Sequence, residues 1–171
     1  METSALLETV VIFISGAGFG GLALYLYMKE KLQKLHNQTA LRRINMLEQV
    51  AQHAGKVSHV FSRYASLVTE IGISRDRMSP GQKKELDELS TQLVDVYEEV
   101  AIAESKLLLL GEQKLEKALK LYTTKMAQFR KQIYPGRFNS IEEASGLKKE
   151  VSQMREQFYN VLSQRYDQRI G

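Results

Sequence analysis

Cysteine is missing from all 171 residues of the chain. The sequence therefore has no disulfide framework, no cysteine-based zinc site and no thiol nucleophile. Proline is scarce as well, since Pro80 and Pro135 are the two prolines and both lie in turn-like surroundings. No alternation of polar and apolar residues is long enough to predict a β-sheet. These absences favour an all-α protein whose main body faces the cytoplasm.

Residue patterns typical of catalytic and metal sites are also lacking. The three histidines are His36, His53 and His59, and none has a second histidine three or four residues away. Acidic residues cluster farther on, at Asp95, Glu98, Glu99 and Glu104. We interpret both sets as structural or solvated, because carboxylates that bind metal need partners converging from other helices. With no Walker loop, nucleophile elbow or kinase signature, we predict no enzyme activity, catalytic residue, cofactor or metal.

Charge is missing from one long run, TVVIFISGAGFGGLALYLYM, which occupies residues 9–28. Twenty helical residues rise about 30 Å, which matches the hydrocarbon core of a bilayer. We therefore predict a transmembrane helix over residues 9–28. Residues 1–8 would form a short extracytoplasmic N-terminus, and residues 29–171 a cytoplasmic helical bundle.

The same run contains a G-x-G-x-x-G pattern at Gly16, Gly18 and Gly21. In dinucleotide-binding proteins this pattern follows a strand, and an acidic residue comes about 20 residues later. Here a stretch with helical spacing follows, and Lys31 to Leu47 contains no Asp or Glu. A soluble flavin or nucleotide enzyme is therefore the weakest of the alternatives.

Small residues in the run suggest a different use for the glycines. The four that would form a packing face are Gly16, Ala17, Gly20 and Gly21. Small residues four apart let a second membrane helix approach closely. Two interpretations stay open: tight self-association through this face, or a loosely packed anchor.

The flanks of the run predict its orientation. Charges before it are acidic, at Glu2 and Glu8, whereas the charges that follow it closely are mostly basic. Lys and Arg near a membrane helix stay on the cytoplasmic side. The predicted membrane-interface residues are Tyr25, Tyr27, Lys29, Lys31, Lys34, Arg42 and Arg43. We expect a single-pass protein of the cell (inner) membrane, with its N-terminus outside and its C-terminal domain in the cytoplasm.

Positive charge is concentrated in the half of the body nearest the run. Residues 29–77 carry nine basic and four acidic side chains, whereas residues 78–134 carry nine of each. An anionic leaflet attracts such basic residues by about 1 kcal/mol each. Membrane lipids are therefore predicted partners, and nucleic acid is a less economical explanation of the charge.

Apolar residues in the body recur at steps of three and four, which predicts helices over about residues 29–71, 80–133 and 140–167. The first apolar seam is Leu47, Val50, Ala54, Val57, Phe61, Tyr64, Val68 and Ile71. Ser79, Pro80 and Gln82 predict a capping box at the start of the second helix. A phase slip after Gly111 predicts a bend or break there. The simplest architecture is an antiparallel bundle of three or four helices, although the seams could also serve intermolecular coiled coils.

Cations and aromatic rings mix around the Tyr134-Pro135 turn. The possible partner patch comprises Lys125, Arg130, Lys131, Tyr134, Arg137 and Phe138. Such a mixture can bind lipid head groups, nucleic acid or an acidic partner. The competing interpretation is that the basic residues cap a helix C-terminus.

These patterns predict a non-enzymatic, membrane-anchored scaffold or adaptor that self-associates and recruits an unidentified cytoplasmic or membrane protein. No small-molecule substrate is expected. The alternative is an effector that perturbs the bilayer by assembling its single helices into a pore. That alternative is disfavoured because the run has little polar side chain beyond Thr9 and Ser15 to line a water-filled lumen.

Overall fold

A computed structural model describes the backbone of residues 2–74, 78–134 and 140–170, and the side chains of residues 24–74, 78–134 and 140–168. These residues form four α-helices: α1 (Glu2–Ser74), α2 (Pro80–Leu110), α3 (Gln113–Gln132) and α4 (Ile141–Ile170). The all-α prediction is confirmed. The chain divides into two compact units, residues 1–42 and residues 43–171.

The start of α2 has the predicted capping box. The Ser79 hydroxyl accepts a hydrogen bond from the Gln82 backbone N–H at 3.2 Å, and the Gln82 side chain accepts one from the Ser79 N–H at 3.0 Å. Pro80 occupies the first helical position. It has no N–H to lose there, and its fixed φ suits the helix.

A glycine ends α2. Gly111 adopts a left-handed conformation with φ of 72°, and its N–H donates to the Leu108 carbonyl at 3.0 Å. The next N–H, that of Glu112, donates to the Leu107 carbonyl at 2.9 Å. These bonds satisfy carbonyls that the helix end would otherwise leave open. The apolar phase slip at Gly111 thus marks the separation of α2 from α3.

The second unit is an up-and-down bundle built from residues 43–74 of α1 with α2, α3 and α4. The pairs His53–Glu99 and Arg63–Glu85 show that α1 and α2 are antiparallel, since one number rises as the other falls. The pairs Tyr166–Glu48 and Lys148–Ser66 show the same for α4 and α1. Short connections between consecutive helices favour this arrangement.

The predicted first seam forms one side of the core. All eight of its residues are buried, none with more than 7% of its surface exposed. Aromatic contacts then join the helices: Phe61 meets Phe129 edge-on with ring centroids 5.4 Å apart, and Tyr122 stacks on Phe158 at 6.5 Å. Such ring pairs add about 1 kcal/mol beyond the area they bury. The seams therefore pack within the chain in this structure.

The backbone of the first unit is helical from Glu2 onward and belongs to α1. The G-x-G-x-x-G pattern forms no dinucleotide-binding loop, as expected from its surroundings, because Gly16, Gly18 and Gly21 lie within this helix and no strand precedes them among the described residues. Over the residues whose side chains are described, we find no helical stretch that combines the length and the apolar character needed to cross a membrane. Side chains 9–23 of the predicted span lie outside those residues.

Candidate interaction surfaces

The α1 segment that precedes the bundle carries the predicted membrane-interface residues. Every side chain from Leu24 to Thr39 is exposed, and Lys34 pairs with Glu30 at 2.7 Å. Large apolar side chains are included, at Leu24, Tyr25, Leu26, Tyr27, Met28, Leu32, Leu35 and Leu41, and each is between 53% and 66% exposed. Contiguous exposed apolar surface is unusual on a soluble monomer and typically marks an interface.

Basic residues share this segment with the apolar ones. Lys29, Lys31 and Lys34 are exposed, as is Arg42, whereas Arg43 at the start of the second unit is half-buried. Tyr25 and Tyr27 are 64% and 65% exposed. A ring with a polar tip beside lysines suits the boundary between hydrocarbon and head groups. The side chains at the predicted packing face, Gly16 to Gly21, lie outside the described residues.

The predicted partner patch is divided between different neighbours. Lys125 Nζ donates to the Glu150 carboxylate at 2.7 Å, so this lysine links α3 to α4. Arg130 is half-buried beside Tyr64 and Tyr97. Burial raises the pKa of Tyr64, and the positive charge of Arg130 opposes that rise.

The outer part of the same patch is more accessible. Lys131 is exposed, and Tyr134 keeps 42% of its surface exposed. Arg137 and Phe138 lie outside the described residues. The patch remains a prediction, with Lys131 and Tyr134 as its accessible members.

A polar cluster between α1 and α2 was not predicted from the sequence. His53 Nδ1 is hydrogen-bonded to Glu99, Lys56 Nζ donates to the same carboxylate at 2.9 Å, and Lys106 Nζ lies 2.9 Å from His53 Nε2. Lysine has only donors, so Nε2 accepts and the proton of the neutral imidazole is on Nδ1. Hydrogen bonds from His53 and then Lys56 hold the pKa of Glu99 below its ordinary value of 4.5.

Glu99 and His53 resemble the carboxylate–imidazole pair of a catalytic triad, because the carboxylate orients the imidazole. Lys106, however, occupies the Nε2 position at which a catalytic histidine would meet its substrate. The His53 and Glu99 side chains are 16% and 24% exposed. We therefore assign the cluster to joining α1 and α2. In the parts of the chain with described side chains, no three histidine or acidic residues converge on a possible metal site.

A second polar link fixes the beginning of α3 against α4. The Glu112 side chain is 7% exposed, and Arg165 Nε donates to its carboxylate at 2.6 Å. Arg165 also donates to the Gln168 side chain at 2.9 Å. A cavity of about 370 Å³ lies beside this pair. Because Glu112 and Arg165 are 53 residues apart, no local sequence pattern signals their contact.

No protein-family model, curated protein or solved structure shows a significant match to this chain.

Proposed function

We propose that the chain is a non-enzymatic, membrane-anchored helical scaffold that self-associates and recruits a protein partner. Residues 9–28 would cross the cell membrane, and residues 29–171 would form the body on the cytoplasmic side. The observation that carries the proposal is the exposed apolar and aromatic surface of α1 from Leu24 to Leu41. Its first five residues, 24–28, are the end of the uncharged stretch, and the remainder directly follows that stretch.

Energetics support an interface at this segment. Burial of apolar surface contributes about 25 cal/mol per Å². The large apolar side chains of this segment are more than half exposed, so binding to a membrane or a partner can still gain this free energy. The lysines beside them add about 1 kcal/mol each near an anionic leaflet. Both contributions favour a segment that sits against lipid head groups, with its tyrosines at the boundary.

Membrane fractionation tests the anchor. The full chain with a C-terminal tag should remain with membranes after alkaline carbonate washing, and protease added outside intact cells should spare the tag. Placing a charge in the middle of the run, as in Phe19→Arg, costs about 3 kcal/mol at the bilayer centre. This variant should shift toward the wash, whereas the matched exposed change Gln33→Arg should not. Full-length protein released without detergent, or a tag digested from outside, would refute the anchor.

Self-association is tested within the run itself. Gly20→Leu fills the proposed packing face and should weaken oligomers in a membrane two-hybrid assay. Gly18→Leu makes the same change on the opposite side of the helix and should leave the signal intact. Equal signals from both variants would remove this face from the proposal. Ion leakage from vesicles carrying the purified chain would instead favour the pore-forming alternative.

Recruitment is tested through the accessible part of the partner patch. Proteins that copurify with the detergent-solubilised chain should be lost when Lys131 and Tyr134 are both replaced by Ala. Replacing exposed Lys117 and Leu121, elsewhere on α3, should retain them. The same set of proteins with both variants would place the docking surface elsewhere.

A further inference from the structure

A groove with both polar and apolar lining runs between α1 and α4. Its open part has a volume of about 520 Å³ and is lined by Gly55, Ser58, His59, Ser62, Arg155 and Tyr159. A smaller cavity of about 30 Å³ adjoins it, because the two share Ser58, Ser62 and Arg155. The smaller cavity is also lined by Lys148 and Ser152 and by the apolar or aromatic side chains of Phe61, Ala65, Tyr122 and Val151. Small residues on α1 leave this space between the helices.

The lining of the groove has one sign of charge. Arg155 and Lys148 contribute cations and the serines contribute hydroxyls, while no Asp or Glu lines either cavity. Arg155 makes no ion pair with a carboxylate among the residues whose side chains are described. Arg165, ten residues along the same helix, does pair with Glu112. A guanidinium that lines a groove and has no carboxylate partner can bind an anion.

Arg155 lines both cavities, and it shares the open part with Tyr159 and the smaller cavity with Tyr122. Burial raises the pKa of both Tyr122 and Tyr159, and the charge of Arg155 opposes each rise. Lys148 Nζ is 3.4 Å from the Ser66 hydroxyl, which places a second cation farther along the groove.

The spacing of the polar residues explains how two helices form this lining. Lys148, Ser152, Arg155 and Tyr159 follow one another at steps of three and four on α4. Gly55, Ser58 or His59, Ser62 and Ser66 do the same on α1. Each row lies on one face of its helix. Donors consequently point into the space from two sides.

We propose that this groove binds the phosphate group of a phosphorylated ligand, with Arg155 as its principal anchor. A guanidinium fork matches two phosphate oxygens at once, and the Ser62 and Ser152 hydroxyls line the same space from the two helices. The volume of the open part lies within the range of small-ligand sites. The Tyr159 ring at its edge provides a surface for the organic portion of the ligand. The phosphate can belong to a soluble metabolite or to a phospholipid head group.

Two probes with the same phosphate monoester distinguish these sources. Glycerol 3-phosphate and short-chain phosphatidic acid are titrated into the full chain in uncharged detergent, and binding is followed by calorimetry. Saturable binding of at least one probe is expected. Comparable affinity for both would indicate a soluble ligand, whereas much tighter binding of phosphatidic acid would indicate a lipid. Either result supports the phosphate site, and no saturable binding of either probe would overturn it.

Substitutions locate the binding. Arg155→Gln should weaken phosphate binding at least tenfold, because a charge-assisted double hydrogen bond is lost. Arg155→Lys should bind with an affinity between those of the unaltered chain and Arg155→Gln. Lys149→Gln removes the same charge from an exposed position of α4 that lines neither cavity, and it should bind as the unaltered chain does. Equal affinity of Arg155→Gln and Lys149→Gln would overturn the assignment.

A second variant keeps the test independent of folding. Ser62 is exposed, so Ser62→Leu should leave the bundle folded while filling the groove. It should therefore also abolish saturable binding, with an unchanged helical circular dichroism spectrum. Unchanged binding by a folded Ser62→Leu variant would contradict the site even if Arg155→Gln failed to fold.

Discussion

Arg165 Nε donates to the Glu112 carboxylate across 2.6 Å. This contact joins the C-terminal part of α4 to the residue that precedes α3. Glu112 is nearly inaccessible, with its side chain 7% exposed, whereas Arg165 is 40% exposed. Water screens this pair less than it screens an exposed one. The contact therefore helps to hold the α2–α3 turn against α4.

Replacing Arg165 tests this link. Arg165→Gln should lower the free energy of unfolding by about 2 kcal/mol, the range of a hydrogen bond to a charged group. Urea denaturation followed by circular dichroism measures the change. Lys84→Gln is the control, because Lys84 and Glu88 are exposed and 3.9 Å apart, so their pair contributes little. Equal midpoints for the two variants would contradict a structural role for the Arg165 contact.

The loss of folding stability at acidic pH should depend on Glu99. Hydrogen bonds from His53 and Lys56 depress its pKa in the folded state. The unfolded chain therefore takes up the proton at higher pH than the folded chain does, and the stabilisation is present above the ordinary value of 4.5. It is lost as the pH falls through the lower folded-state pKa.

Denaturation measured between neutral and acidic pH checks this dependence. Glu99→Gln should flatten the loss of stability below the ordinary carboxyl pKa, whereas Glu98→Gln, at an exposed neighbouring position, should leave the curve as it was. If the free energy of unfolding fell equally with decreasing pH in the unaltered chain and in Glu99→Gln, the His53 contact would not stabilise the bundle.

Two glycines should respond oppositely to alanine. Gly111 has a φ of 72°, and an L side chain in this left-handed region costs about 1–2 kcal/mol. Gly146 lies inside α4, where a Cβ would meet nothing within 4 Å and where Ala is favoured by about 0.5–1 kcal/mol. Gly111→Ala should therefore lower the midpoint of thermal unfolding and Gly146→Ala should raise it. A midpoint that stays the same or rises in Gly111→Ala would contradict the left-handed cap, and one that falls in Gly146→Ala would contradict the helix-propensity argument.

The capping box gives a fourth prediction. Ser79→Ala removes the hydroxyl that accepts the Gln82 N–H and should cost about 1 kcal/mol. Ser105→Ala is a suitable comparison, since the Ser105 hydroxyl donates to the Ala101 carbonyl within α2 and caps no helix end. Its loss should be neutral or slightly stabilising in a denaturant titration. If Ser105→Ala destabilised as much as Ser79→Ala, the cap would have no special role.

Local patterns in the sequence were sufficient to predict the helices and their buried apolar faces. The step of three and four residues from Leu47 to Ile71 predicted a buried face, and every member of that seam is buried. On α4 the spacing from Phe158 is met equally well by Val161, three residues on, and by Leu162, four residues on, but Leu162 is the buried one at 6% exposure. The apolar period places a face to within one residue, because the neighbouring helices decide which side chain points inward.

The polar contacts between helices could not be predicted in this way. His53 and Glu99, Arg165 and Glu112, and the two sides of the Arg155 groove lie far apart along the chain. Periodicity records which face of a helix is apolar but not which partner that face meets, or at what register. The partner patch shows the same limit, since Lys125 and Arg130 are near in sequence yet contact different helices.

Sequence by itself determined that this chain is helical, where its apolar faces lie, and where Ser79 begins and Gly111 ends a helix. Each of these depends on interactions within a few residues, namely backbone hydrogen bonds, side-chain caps and conformational preference. Tertiary structure alone decided that His53 meets Glu99, that Glu112 is buried against Arg165, and that serines of α1 face Arg155 across a groove. Those juxtapositions arise when four apolar faces are buried together, because only packing of the whole bundle sets the register of one helix against another.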